Sequence, residues 1–153
     1  METKMPFHDT FTLERTFKAR VSKVFDAFRK IELKGQWFIA PADYNVSERS
    51  LDFRAGGREV LRGSFPNGTT TSYDATYYDI VENERIVYVY DLLINGTRFS
   101  VTLATIEMKE EGGTTKLLFT EQNTYINAPA DANASRIRGV SWHLDNLEKL
   151  LQG

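Results

Sequence analysis

The 153 residues are enough for one hydrophobic core, and the balance of 41% hydrophobic and 26% charged residues indicates neither a disordered tail nor a membrane protein. Nineteen Lys and Arg against twenty-one Asp and Glu leave a net charge of −2 with no basic block, so the electrostatic footprint of a nucleic-acid binder is missing. The absence of cysteine removes disulfides, thiol nucleophiles and Cys-ligated metals, and His8 and His143 lie too far apart in sequence to form a paired metal motif.

Met1 to Asp9 holds no apolar run of the kind a secretion signal needs, and no stretch approaches the roughly 20 apolar residues of a membrane helix. A cytoplasmic protein without stable membrane insertion is expected, built as a single domain over 1–153.

Phe11, Leu13 and Phe17 alternate with Thr12, Glu14 and Thr16, which predicts a first strand over Thr10–Phe17 with Arg15 intruding on its apolar face. Ser22 is a candidate cap for a short helix carrying Val24, Phe25 and Phe28, and Ile31, Leu33, Trp37 and Phe38 predict a second short helix ending before Pro41.

Strands are then predicted over Val46–Arg54, Arg58–Phe65, Thr69–Ile80, Arg85–Ile94, Thr97–Lys109 and Thr114–Thr124. Gly56-Gly57, Pro66-Asn67-Gly68, Asn83-Glu84, Asn95-Gly96 and Gly112-Gly113 separate them, Asn95-Gly96 being the clearest two-residue hairpin signal. After Pro129 and a possible cap at Asp131, Ile137, Val140, Leu144, Leu147 and Leu151 form one helical stripe to the C-terminus. Neighbouring antiparallel strands followed by one long amphipathic helix give an α+β fold, a curved antiparallel sheet wrapped around that helix with a cavity or groove between them.

Candidate site residues follow from that geometry. Tyr73 and Tyr77 share one strand face and Tyr88 and Tyr90 another; rings with polar tips suit a mixed pocket or ordinary sheet packing, and the register that would bring them together is open. Trp37 and Phe38 either close one mouth of the cavity or plug helix to sheet. Arg15, Arg62 and Glu121 are the charged residues to look for inside the curve, where an inward Arg–Glu pair would anchor a ligand carboxylate or join strands.

Val140 and Leu144 present the helix to the cavity, and His143 on the flank could reach its edge. Trp142 projects opposite the stripe, among Arg138, Asp145 and Lys149, under a loop or at a protein contact. There is no phosphate loop, HExxH helix or nucleophile elbow.

Leu13-Glu14-Arg15-Thr16-Phe17, Val24-Phe25-Asp26-Ala27-Phe28, Trp37-Phe38, Phe53-Arg54-Ala55-Gly56-Gly57, the run from Tyr78 to Ile86, Leu117 to Gln122, and Gly139 to Leu147 together resemble the proteins related to the activator of Hsp90 ATPase. That family lies within the START-related helix-grip superfamily, and the resemblance, nearly chain-long, is to its stand-alone bacterial form. It implies a sheet gripping the C-terminal helix around a hydrophobic cavity, and neither a catalytic set nor a cofactor. Three functions are weighed: non-catalytic binding of a small apolar or amphipathic molecule; an interaction module, homodimeric or touching a chaperone; and a hydrolase or cyclase using His143 or Glu121 with a tyrosine.

Overall fold

Alternation carries the first strand, β1 (Phe7–Phe17), three residues further back than Thr10, because Phe7 pairs with Tyr125 and the two rings sit 5.2 Å apart. The computed structural model describes residues 5–153, so part of the expectation for Met1 to Asp9 lies outside the described residues. Two short helices follow, α1 (Val21–Arg29) and α2 (Ile31–Trp37). Ser22 falls inside α1 rather than capping it. The free Val21 N–H is met from across the fold by Glu110 Oε1 at 2.9 Å, which takes the place of a cap and adds a negative charge at the helix N-terminus.

The remaining strands are β2 (Asn45–Leu51), β3 (Arg58–Ser64), β4 (Thr70–Val81), β5 (Arg85–Ile94), β6 (Thr97–Glu111) and β7 (Thr114–Tyr125). They form one antiparallel sheet in the order β1-β7-β6-β5-β4-β3-β2. β2 stops at Leu51, short of Arg54, because Asp52–Gly57 turns back on itself. Gly56 takes φ +84°, and a Cβ on Gly57 would stand 2.1 Å from the Asp52 carbonyl oxygen, so only glycine fits there. At Asn95-Gly96 both residues have positive φ, as the twisted two-residue hairpin requires.

The register unites the tyrosines. Tyr77 stands opposite Tyr88 and Ala75 opposite Tyr90, with a bulge after Tyr77 that leaves Tyr78 pointing outward. Tyr73, Tyr77, Tyr88 and Tyr90 are all buried on the inner face, with ring centres 4.8 Å apart for Tyr73–Tyr90 and 5.5 Å for Tyr77–Tyr88.

The long helix α3 (Ala132–Gln152) lies against this face. Val140, Leu144, Leu147 and Leu151 are buried and Ile137 packs at the margin of the core. Asp131 precedes the helix, without a side-chain cap bond. Arg15 leaves the apolar face of β1 to reach α3, donating to Asp145 at 2.8 Å and to the Ser141 carbonyl. It is a half-exposed strut between sheet edge and helix, not a cavity residue.

Candidate functional site: a cavity between sheet and helix

Large rings set on neighbouring strands cannot fill a curved sheet completely, and between β3–β5, β7, α2 and α3 a cavity of about 400 Å³ remains. Its walls are chiefly aromatic and aliphatic. Tyr73, Tyr88 and Tyr90 supply the sheet side, Val140 and Leu144 the helix side, and Trp37 and Phe38 the end wall. The Trp37 indole is a fixed part of that wall, since it is buried and donates to the Ala27 carbonyl at 2.8 Å. Half-buried Phe38 packs against Tyr73 in a tilted arrangement, with ring centres 4.9 Å apart. The segment after α2, including Pro41 and Tyr44, and Gly139 and Trp142 of α3 form a partly exposed rim.

Two buried charge clusters meet this cavity. At the first, Lys34 of α2 is 3% exposed and donates to Glu59 Oε1 at 2.6 Å, while the Tyr77 hydroxyl donates to the same oxygen at 2.8 Å. The Lys34 ammonium lies 4.9 Å from the centre of the Phe38 ring, within cation–π range.

At the second, Glu121 of β7 is 1% exposed and accepts on both oxygens, from the Tyr90 hydroxyl at 2.7 Å and from Arg136 of α3 at 3.3 Å. Arg136 also donates to Tyr90 at 2.8 Å and to Ser100 at 2.7 Å, and behind it Thr102 donates to Asn123. Burial pushes the Glu121 carboxyl up from its ordinary value, with the Arg136 charge and the Tyr90 hydroxyl pulling the other way. Burial and the neighbouring carboxylates hold the phenols of Tyr73, Tyr77, Tyr88 and Tyr90 far above their usual range, so all four are neutral hydroxyls at physiological pH.

His143 reaches the cavity edge, as its place on the helix flank predicts. Burial pulls its pKa down, with Lys34 and Arg49 adding to the effect, so the ring is neutral; its Nε2–H then donates to the Ile39 carbonyl at 2.8 Å. The imidazole therefore ties α3 to the rim segment.

The structure brings together Trp37, Phe38, Tyr73, Tyr88, Tyr90, Glu121, Val140, His143 and Leu144, and separates two expected members. Arg62 lies on the opposite face of the sheet, bonded to Ser72, Asp74 and Glu48. Glu59 and Leu61 take the inward positions of β3, and a side-chain period of two sends Arg62 out. Tyr77 is buried behind Lys34 and does not line the cavity. Trp142 is 41% exposed, with its ring 5.5 Å from that of His143, and stands on the cavity rim rather than beneath a loop on the far side of α3.

Sequence reasoning missed Lys34, Glu59 and Arg136. Arg136 stands four residues before Val140 and eight before Leu144, so it occupies a place in the apolar stripe; Lys34 shares a helix face with Ile31, Trp37 and Phe38. A charge inside an apolar periodicity was the available signal.

Gly139 lies on the rim, and a Cβ there would meet nothing within 4 Å. Glycine inside a helix is less favourable than alanine by about 0.8–1 kcal/mol. Gly139→Ala is therefore expected to raise stability by about that amount in chemical denaturation, with an unchanged denaturant slope.

Among the described residues no helix is long and apolar enough to cross a membrane, and no group of His, Cys, Asp or Glu is arranged to hold a metal. Residues 18–152 match the family model described as activator of Hsp90 ATPase homolog 1-like protein. No curated protein sequence matches the chain.

Among solved structures, a protein from Rhizobium leguminosarum is 39% identical with a TM-score of 0.90, covering 97% of each chain. A second, from Rhizobium loti, is 34% identical with a TM-score of 0.88, covering 97% of this chain and all of its own. A Staphylococcus aureus protein at 18% identity and a TM-score of 0.78, covering 96% of this chain and 95% of its own, shares the fold. With all three helices and every strand but β1 inside the matched region, the chain belongs to the family of activator of Hsp90 ATPase homolog 1-like proteins.

Proposed function

We propose that this protein binds a small, mainly apolar molecule in the cavity between sheet and α3, without converting it. The observation that carries the reading is an accessible cavity of about 400 Å³, within the size range of small-molecule sites, with aromatic walls and a few convergent polar groups. The groups that could act as acid or base are engaged otherwise. Glu59 and Glu121 neutralise buried cations, His143 Nε2 is held by a backbone carbonyl, and the phenols stay protonated. That arrangement supports retention of a molecule rather than proton transfer to it.

N-phenyl-1-naphthylamine, an uncharged dye that fluoresces in apolar surroundings, tests the reading. Saturable enhancement at one dye per chain is expected, and Gly139→Trp, which projects a ring from the rim, should weaken it at least roughly tenfold with the fold intact by circular dichroism. Absence of saturable enhancement, or equal binding by the rim variant, would sink the cavity as a binding site.

A further inference from the structure

We infer that the cavity selects uncharged amphipathic molecules and discriminates against carboxylates and ammonium ions, because its lining is already balanced in charge. This inference rests on the cavity being a binding site and names the class of molecule it takes.

Three formally charged side chains line the cavity: Lys34, Glu121 and Arg136. Glu121 neutralises Arg136, and Glu59, directly behind Lys34 and itself buried, neutralises the ammonium at 2.6 Å. The sum is zero. The His143 imidazole at the rim has its charge disfavoured by burial and by the cations Lys34 and Arg49. Arg49 is not part of the lining; it is half-exposed and donates to the Phe38 carbonyl at 2.9 Å.

A carboxylate entering this space would leave water without gaining a free cation, and an ammonium would find no free anion. Either would displace an existing partner and leave a buried charge uncompensated, which is the costly case in an interior of low polarity.

The same lining does offer hydrogen bonds to a neutral guest. The Tyr73 and Tyr88 hydroxyls make no side-chain or backbone hydrogen bond among the described residues, yet no described buried polar side-chain atom is left without a partner. Both hydroxyls therefore retain accessible surface, and for rings packed against the cavity that surface is the cavity itself. A phenol offers one donor and acceptor capacity, which suits an amide, ketone or alcohol. The Phe38, Tyr73, Tyr88 and Tyr90 rings, packed on one another, present an aromatic wall against which the apolar part of a guest can lie.

Three probes of one shape decide the matter: 2-naphthamide, 2-naphthoate and 2-naphthylmethylammonium, titrated into the wild-type protein at pH 7 by calorimetry or by displacement of N-phenyl-1-naphthylamine. The amide is expected to bind at least roughly tenfold more tightly than either ion. A naphthoate or ammonium affinity equal to or above that of the amide overturns charge balance as the selector, with the cavity still standing as a site. Binding of none of the three, together with failure of the dye, overturns the cavity reading and this inference with it.

Glu59→Gln supplies an independent arm, since it removes one balancing charge while keeping shape. The advantage of amide over naphthoate should then shrink at least roughly tenfold, and an unchanged ratio in the folded variant overturns the inference. Should this substitution prevent folding, the wild-type comparison of the three probes decides alone.

Discussion

Glu59→Ala is expected to lower folding stability by about 3–5 kcal/mol, one of the two largest effects of any substitution considered for this protein. The ammonium of Lys34 is 2.6 Å from Glu59 Oε1, with both side chains almost wholly removed from water. Truncating Glu59 leaves that ammonium facing Phe38 and the Tyr77 hydroxyl, neither of which carries a compensating charge. It also removes the acceptor of the Tyr77 hydroxyl, adding a second unsatisfied buried group.

The double variant Lys34→Met, Glu59→Leu should recover most of the loss, because replacing both members of a buried pair by apolar groups of similar volume is often close to neutral. Urea denaturation of the two variants and the wild type distinguishes the outcomes. A double variant as unstable as Glu59→Ala would mean that the loss comes from packing of β3 against α2 rather than from the orphaned charge.

The pair also shows what was legible in the sequence. Alternation and turn chemistry gave the strand series, because strand periodicity and the φ > 0 demands of Asn95-Gly96 and Gly56 act locally; β5 has the predicted bounds, Arg85–Ile94. The helix stripe likewise placed Val140 and Leu144 against the sheet.

What escaped were facts of register and parity. Which tyrosines meet depends on the Tyr77–Tyr88 pairing, and one bulge after Tyr77 decides which of Tyr77 and Tyr78 points inward. Arg62 and Glu59 are both charged residues of one predicted strand, but Glu59 and Leu61 take the cavity side of β3 and Arg62 faces the other way. Of the charged residues to look for inside the curve, Glu121 is inward, and its partner is Arg136, fifteen residues on in α3, rather than Arg15 or Arg62. Long-range ion pairs leave no periodic trace beyond the oddity of a charge in an apolar stripe.

Arg136→Met separates the second cluster from the first by its pH dependence. At neutral pH the variant should lose about 3–5 kcal/mol, since Glu121 would have to be buried either as an anion without its cation or at the cost of taking up a proton. Burial already holds the folded-state pKa of Glu121 above its ordinary 4.5, and Arg136 is the largest influence pulling it back, so the variant raises it further.

A carboxyl whose folded pKa exceeds its unfolded value binds more protons in the folded state. The penalty is thus fully present above the folded value, shrinks as pH falls through it, and is absent below about 4.5. The stability deficit of Arg136→Met relative to wild type should narrow as pH falls from 7 toward 4.5, whereas the deficit of Glu59→Ala, which leaves a cation behind, should not narrow on acidification. Urea denaturation of both variants across that range reads the difference directly. A deficit of Arg136→Met that stays constant with pH would assign the role of Arg136 to its contacts with Ser100 and Tyr90 rather than to the charge of Glu121.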